Sequence, residues 1–218
     1  MKLKKIASLM LAGVMAVSML AGCSTANNNN GNNDDDNDNV VTPTSIVTAV
    51  NNGQSATNAV KIDFTSDATL DAALSKAVKA IGENRDAYGL NEQLTRLTGI
   101  DWGTWDFLGD ENGLTQADTS KDNGRVVEGM LAMPLMNDMA DKAAAEKTAA
   151  KLINDVVAEL DDTTYAEGVT MSGDKYCDFS YTGTVSMVSS TANDGTVNYY
   201  FAVVITQTTA VKTLKPAA

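Results

Sequence analysis

Two tryptophans and two aspartates crowd into the segment Ile100-Asp101-Trp102-Gly103-Thr104-Trp105-Asp106-Phe107. Exposed indoles stack on sugar rings, and carboxylates beside them accept hydrogen bonds from hydroxyls. Asp101 and Asp106 could also serve as a glycosidase couple, which needs two carboxylates about 5 Å or about 6.5–9.5 Å apart. Trp102, Trp105, Asp101 and Asp106 are therefore the candidate ligand-binding residues. The competing expectation is that both indoles plug a core beside Phe107 and Leu108. It carries more weight, because tryptophan is mostly buried on average.

Other chemistry is thinner. Met130, Met133, Met136 and Met139 recur every third residue. Thioethers suit copper(I), but steps of three drift around a helix and Pro134 interrupts the ladder, so core filler or an adaptable apolar groove is expected. Asp110, Asn112, Asp118, Asp122 and Asn123 lie near glycines without the alternating acids of a calcium loop. Cys177 falls within a predicted strand, on the face of Phe179, where an inert buried thiol is expected. Serines near Lys76 or Lys175 carry no spacing that marks a Ser-Lys pair. The chain has no histidine, which excludes Ser-His-Asp and Cys-His catalysis, histidine zinc sites and a histidine pH switch. No catalytic residue, metal site or cofactor is assigned.

The amino-terminal segment speaks to location. Lys2, Lys4 and Lys5 precede an apolar stretch from Ile6 to Leu20, which ends in Leu20-Ala21-Gly22-Cys23. A basic head, a short apolar middle and small residues before a cut make a secretory signal. The stretch is short for a membrane span and is interrupted by Ser8, Gly13 and Ser18. The Leu-Ala-Gly-Cys run resembles the lipobox of bacterial lipoproteins. That resemblance implies a signal peptide over residues 1–22, cleavage before Cys23, and a diacylglyceryl thioether on Cys23 as the lipidation site. It implies a palmitate-type anchor on the outer face of the cell membrane, or the outer membrane in a two-membrane cell, since Ser24 carries no retention signal.

Residues 23–42 form the expected tether. Asn27 to Asn39 holds only Asn, Asp and Gly31, so it has nothing to bury against its chain entropy. As a coil, the stretch from Ser24 to Thr42 spans roughly 25 Å, and Asp34-Asp35-Asp36 extends it by repulsion. A spacer is expected there, rather than a calcium site at Asp34, Asp35, Asp36 and Asp38. The full chain carries 16 basic and 28 acidic side chains; losing the three leader lysines leaves 13 basic, a net charge of −15. Such a surface repels nucleic acid and anionic headgroups, so contact with the membrane is expected through the lipid.

Residues 43–218 are expected to form one extracytoplasmic domain without an internal disulfide, because only Cys177 remains beyond the lipidated cysteine. Thr44–Val50 and Asn58–Phe64 read as β-branched strands joined by a turn at Asn51-Asn52-Gly53. Ser66 or Asp67 caps a helix with Leu70, Leu74, Ala77, Val78 and Ile81 on one face, weakened at Gly82. Tyr88–Leu97 suits a shorter helix. Val126–Met139, broken by Pro134, suggests two short helices or a kink. Asp141–Leu160 is the clearest helix, with Ala145, Ala149, Leu152, Ile153, Val156 and Leu160 in line and outer pairs Asp138–Lys142 and Lys151–Asp155. Asp161 and Asp162 stand at its carboxyl end, where the helix dipole disfavours them.

Lys175–Ser190 and Thr196–Thr209 make a long hairpin around Asn193-Asp194-Gly195, with Gly195 left-handed. Alternation sets Met187 opposite Phe201, Val185 opposite Val203 and Gly183 opposite Ile205. The face bearing Phe179, Tyr181, Val185, Met187, Phe201, Val203 and Ile205 should meet the helices. The segment Gly195 to Val203 is similar to the last strands of secreted CAP domains, which implies a sheet sandwiched between helices; the cavity histidines of that family are missing. Strands, helices, then strands predict an α+β fold, an antiparallel sheet with a long C-terminal β-hairpin packed against several helices. The functional expectation is a lipid-anchored surface module that binds a glycan, peptide or protein without catalysis. A glycan-acting hydrolase and a structural envelope protein are the alternatives.

Overall fold

A computed structural model describes residues 43–102, 119–135, 139, 141–163 and 174–214. The leader, Cys23 and the tether lie outside the described residues. In chain order the elements are α1 (Pro43–Gly53), β1 (Phe64–Thr65), α2 (Ala68–Ile81), α3 (Ala87–Thr98), β2 (Val126–Pro134), α4 (Lys142–Ala158), β3 (Lys175–Thr191) and β4 (Val197–Thr213). The strands form one sheet in the order β1-β3-β4-β2. The expected α+β class holds. The sheet is mostly antiparallel, but β1 pairs with β3 in parallel, where an all-antiparallel sheet was expected.

The long hairpin is the centre of the molecule. Met187 faces Phe201, Val185 faces Val203 and Gly183 faces Ile205, as the alternation predicts. The Ala192 N–H donates to the Thr196 carbonyl at 2.8 Å and closes the loop over Gly195, whose φ is +86°. Both faces of the hairpin are covered. Val185, Met187, Phe201, Val203 and Ile205 are buried with Ile46 and Val50 of α1 and Ala149 and Ile153 of α4. Val188, Tyr200, Ala202 and Val204 are buried on the other side with Leu70 and Leu74 of α2 and Leu90 and Leu94 of α3. The result is a helix–sheet–helix sandwich.

Helix ends follow the sequence closely. Asp67 caps α2, accepting from the N–H groups of Thr69 and Leu70; Asp86 caps α3 and Asp141 caps α4. The Lys151 ammonium meets Asp155 at 2.6 Å, as spaced; Asp138, the expected partner of Lys142, lies outside the described residues, and Lys142 meets Glu146 at 3.6 Å. The two acids after α4 lie beyond the helix. Their exposed side chains matter less than their carbonyls: Asp161 accepts from the Tyr181 hydroxyl at 2.7 Å, and Asp162 from the Phe179 N–H at 2.8 Å.

Two segments depart from expectation. Residues 44–50 form a helix, not a strand, and no turn sits at residues 51–53, which complete the helix. Ile46, Ala49 and Val50 recur at helical spacing, and burial of that face outweighs the β preference of Ile and Val. Of the second expected strand, only Phe64–Thr65 pairs. Residues 126–134 form a strand, not helices. It packs on both faces, which erases the polar–apolar alternation that marks a half-exposed strand. Pro134 is tolerated as the last residue of an edge strand, where no ladder N–H is required of it.

Side-chain amides close both edges of the sheet. At the β2 edge, the Asn91 amide donates to the Ala132 carbonyl at 2.8 Å and accepts from the Ala132 N–H at 2.9 Å. Before and within β1, Gln54 makes the same double contact with Ile62, at 2.6 and 2.9 Å, and Asn51 with Phe64, at 3.0 and 2.9 Å. Each amide substitutes for one residue of a neighbouring strand. The Phe64 ring covers Gly183, where a Cβ would stand 2.5 Å from Phe64 Cδ1.

Asn91→Leu is expected to strand a buried N–H and carbonyl and to destabilise the fold by about 2–4 kcal/mol, whereas Gln54→Leu, at a partly open edge, costs about 1 kcal/mol. Gly183→Ala is expected to cost about 2–3 kcal/mol by overpacking, and less in a Phe64→Ala background. Urea unfolding followed by circular dichroism measures all four.

Candidate functional site

Only part of the tryptophan segment is described. Trp102 is half-buried, packs against the α2–α3 core, and meets the exposed Tyr88 edge-on at 5.7 Å with an interplanar angle of 90°. Asp101 is exposed beside it. Trp105 and Asp106 lie outside the described residues, as do Phe107 and Leu108. Trp102 thus serves the core with one part of its indole and leaves the other at the surface.

The methionine ladder is split by β2. Met130 is buried on the α2–α3 side, where the Thr98 hydroxyl points at its sulfur at 3.8 Å. Met133 packs against the α1–α4 side. A period of three on a strand alternates faces, so these two thioethers cannot converge on one ion. Met139 also packs on the α1–α4 side, and Met136 lies outside the described residues. Asp122 faces Arg125 at 3.9 Å, and Asn123 accepts from the Val211 N–H at 2.9 Å, so both tie down the loop before β2. Asp110, Asn112 and Asp118 lie outside the described residues. Cys177 is fully buried on the α1–α4 side, as expected for an inert thiol. Among the described residues no three potential ligand residues gather around a metal position. No helix there is long and apolar enough to cross a membrane.

The concave feature lies elsewhere, between α1 and α4. It is an open groove of about 540 Å³. Ala49, Gly53, Ala143, Ala150 and Ala158 give it small apolar walls. Positions 143, 147, 150, 154 and 158 follow one stripe of α4, so the groove runs for about 22 Å along that helix. Asn52, Ser55, Asn58 and Asn154 supply neutral polar groups, and Glu146, Lys147, Lys151 and Asp155 supply charged ones. Asn154 donates to the Val50 carbonyl at 3.2 Å and so ties α4 to α1. Its Oδ1, and the Nδ2 of Asn58, are buried with no hydrogen-bond partner. Glycine at position 53 permits this approach, because a Cβ there would stand 2.5 Å from Asn154 Nδ2. Sequence reasoning missed the groove because it placed residues 44–50 in a strand. The legible signal was the alanine stripe on α4, which continues outside the buried Ala145 and Ala149.

Near the far end of α4, burial pushes the Tyr181 hydroxyl up to about 12. The Gln207 amide, donating at 3.0 Å, partly opposes this, while Asp161 and Asp162 add to it. Burial also raises Tyr200, against the pull of Arg85, whose guanidinium donates to the Leu135 carbonyl.

No known protein family, no curated protein and no solved structure matches the chain.

Tyr181 makes a pH prediction. Its hydroxyl ionises near 10 in the unfolded chain and near 12 in the folded one, so its contribution is complete below pH 10 and is lost as pH rises from 10 to 12. Partial exposure limits the loss to the order of 1 kcal/mol. Thermal midpoints of the native chain are expected to fall across that window, and those of Tyr181→Phe to fall less.

Proposed function

We propose that the chain is a lipid-anchored protein of the outer face of the cell membrane, or of an outer membrane, whose α+β domain is a non-catalytic binding or interaction module. The observation that carries the reading is Leu20-Ala21-Gly22-Cys23 at the end of a basic, then apolar, leader. The Asn/Asp tether that follows supports it, because a spacer between a lipid and a folded body has a physical task only if the lipid is there. The groove between α1 and α4 supports the binding role: its size, and a lining that mixes small apolar residues with amide and charged side chains, suit a ligand site. The absence of histidine from the sequence removes the commonest general acid–base group. The surface patch of Tyr88, Trp102 and Asp101 favours a second reading, contact with a glycan.

Cys23→Ala is the direct test. In a bacterium that lipidates such proteins, the native chain is expected to take up labelled palmitate and to sediment with membranes. The variant is expected to lose the label and move to the soluble or secreted fraction. A variant that stays equally membrane-bound, or a native chain with intact Met1 and no acyl adduct by mass spectrometry, overturns the anchoring.

A further inference from the structure

We propose that the groove between α1 and α4 binds a short, extended peptide ending in a free carboxylate, which Lys147 pairs. The inference rests on the binding-module reading and names its site and ligand class.

Shape comes first. The groove follows α4 from Ala143 to Ala158, and the methyl groups of Ala49, Ala143, Ala150 and Ala158 lie between the polar and charged side chains of its lining. At about 3.3 Å per residue, a length of about 22 Å accommodates six or seven residues of extended chain. No aromatic ring lines the groove, so it offers no stacking platform for a sugar. Asn52, Asn58 and Asn154 are spread around it, which does not suit a bare hydrocarbon chain.

The polar groups match peptide chemistry. An amide side chain pairs with a peptide N–H and carbonyl together, as Asn51, Gln54 and Asn91 do elsewhere in this molecule. In the groove, the Oδ1 of Asn154 and the Nδ2 of Asn58 are an acceptor and a donor without partners. A bound backbone N–H and carbonyl would supply the partners these two atoms lack.

Charge sets direction. The other charged side chains of the groove are engaged: Glu146 by Lys142 at 3.6 Å, and Lys151 with Asp155 at 2.6 Å. Lys147 is exposed and forms no ion pair among the described residues. On a chain with a net charge of −12, an unpaired ammonium at the rim is a local attraction for an anion that the rest of the surface repels.

The test uses the full lipidated chain in detergent micelles and fluorescein-labelled hexapeptide libraries, made with free and with amidated carboxyl ends. Anisotropy is expected to show binding of free-acid peptides. Amidation, or Lys147→Glu, is expected to weaken it about threefold to fivefold, with Lys147→Arg retaining it. Ala143→Trp, at an exposed position that can fill the groove without disturbing the core, is expected to weaken it at least about tenfold. Binding that ignores both Lys147→Glu and Ala143→Trp overturns this site while leaving the binding module intact. Displacement of the peptides by decanoate or an N-acetylated oligosaccharide, with sensitivity to Ala143→Trp, overturns the ligand class alone. A library with no binder overturns the inference, whereas the anchoring stands or falls separately on Cys23→Ala.

Discussion

Three side-chain amides finish a sheet that has too few strands to finish itself. β3 and β4 are each 17 residues long, while β1 pairs over two residues and β2 over nine. A hairpin so flanked leaves backbone N–H and carbonyl groups at both margins, and burying them unpaired costs about 1–3 kcal/mol each. Further strands would solve this at the expense of new edges, which template aggregation. Asn51, Gln54 and Asn91 instead present a donor and an acceptor on one rigid group, in the spacing a peptide presents. Because Asn51 and Gln54 sit on or just after α1, and Asn91 on α3, each helical layer is pinned to one margin of the sheet.

That pinning explains how the domain packs without a disulfide between described residues, where Cys177 lies buried. The two apolar layers are separated by the sheet and share no helix. What joins them is β4, whose residues alternate between the layers: Tyr200, Ala202 and Val204 to one, Phe201, Val203 and Ile205 to the other. The hairpin tip adds a polar tie, as the Asn193 N–H donates to Glu83 beyond α2 at 3.1 Å.

Legibility in the sequence followed how local each signal was. The hairpin register was readable because one glycine loop and strict alternation fix every pair from Thr191–Val197 outward. The caps at Asp67, Asp86 and Asp141 are local chemistry and act as such, although only the first was read as one. α1 was misread because its β-branched residues speak for a strand, while its helical face has meaning only once the sheet it covers exists. β2 was misread for the complementary reason: a strand buried on both sides has lost its period. The amide clamps were invisible because their partners lie up to 41 residues away and an asparagine in sequence declares no partner. Of the candidate site, Asp101 and Trp102 stood out by residue type, but their sequence did not say how far the indole is buried, and the groove depended on the misread helix.

The groove and the core are two uses of one composition. α4 turns Ala145, Ala149, Ile153 and Val157 to the sheet and Ala143, Ala150 and Ala158 to the groove. Alanine on the inner face lets the helix lie close to the sheet and to α1, close enough for Asn154 to reach the Val50 carbonyl. Alanine on the outer face then leaves a channel where longer side chains would have filled the gap. A helix built only for stability would place leucine at several of these positions, since each buried methylene contributes about 0.8 kcal/mol. Lys142, Glu146, Lys151 and Asp155 keep the helix soluble along its rim without closing the channel, because they pair along the helix rather than across it. Small residues there forgo burial that the fold could use, and the concavity is what that sacrifice leaves behind.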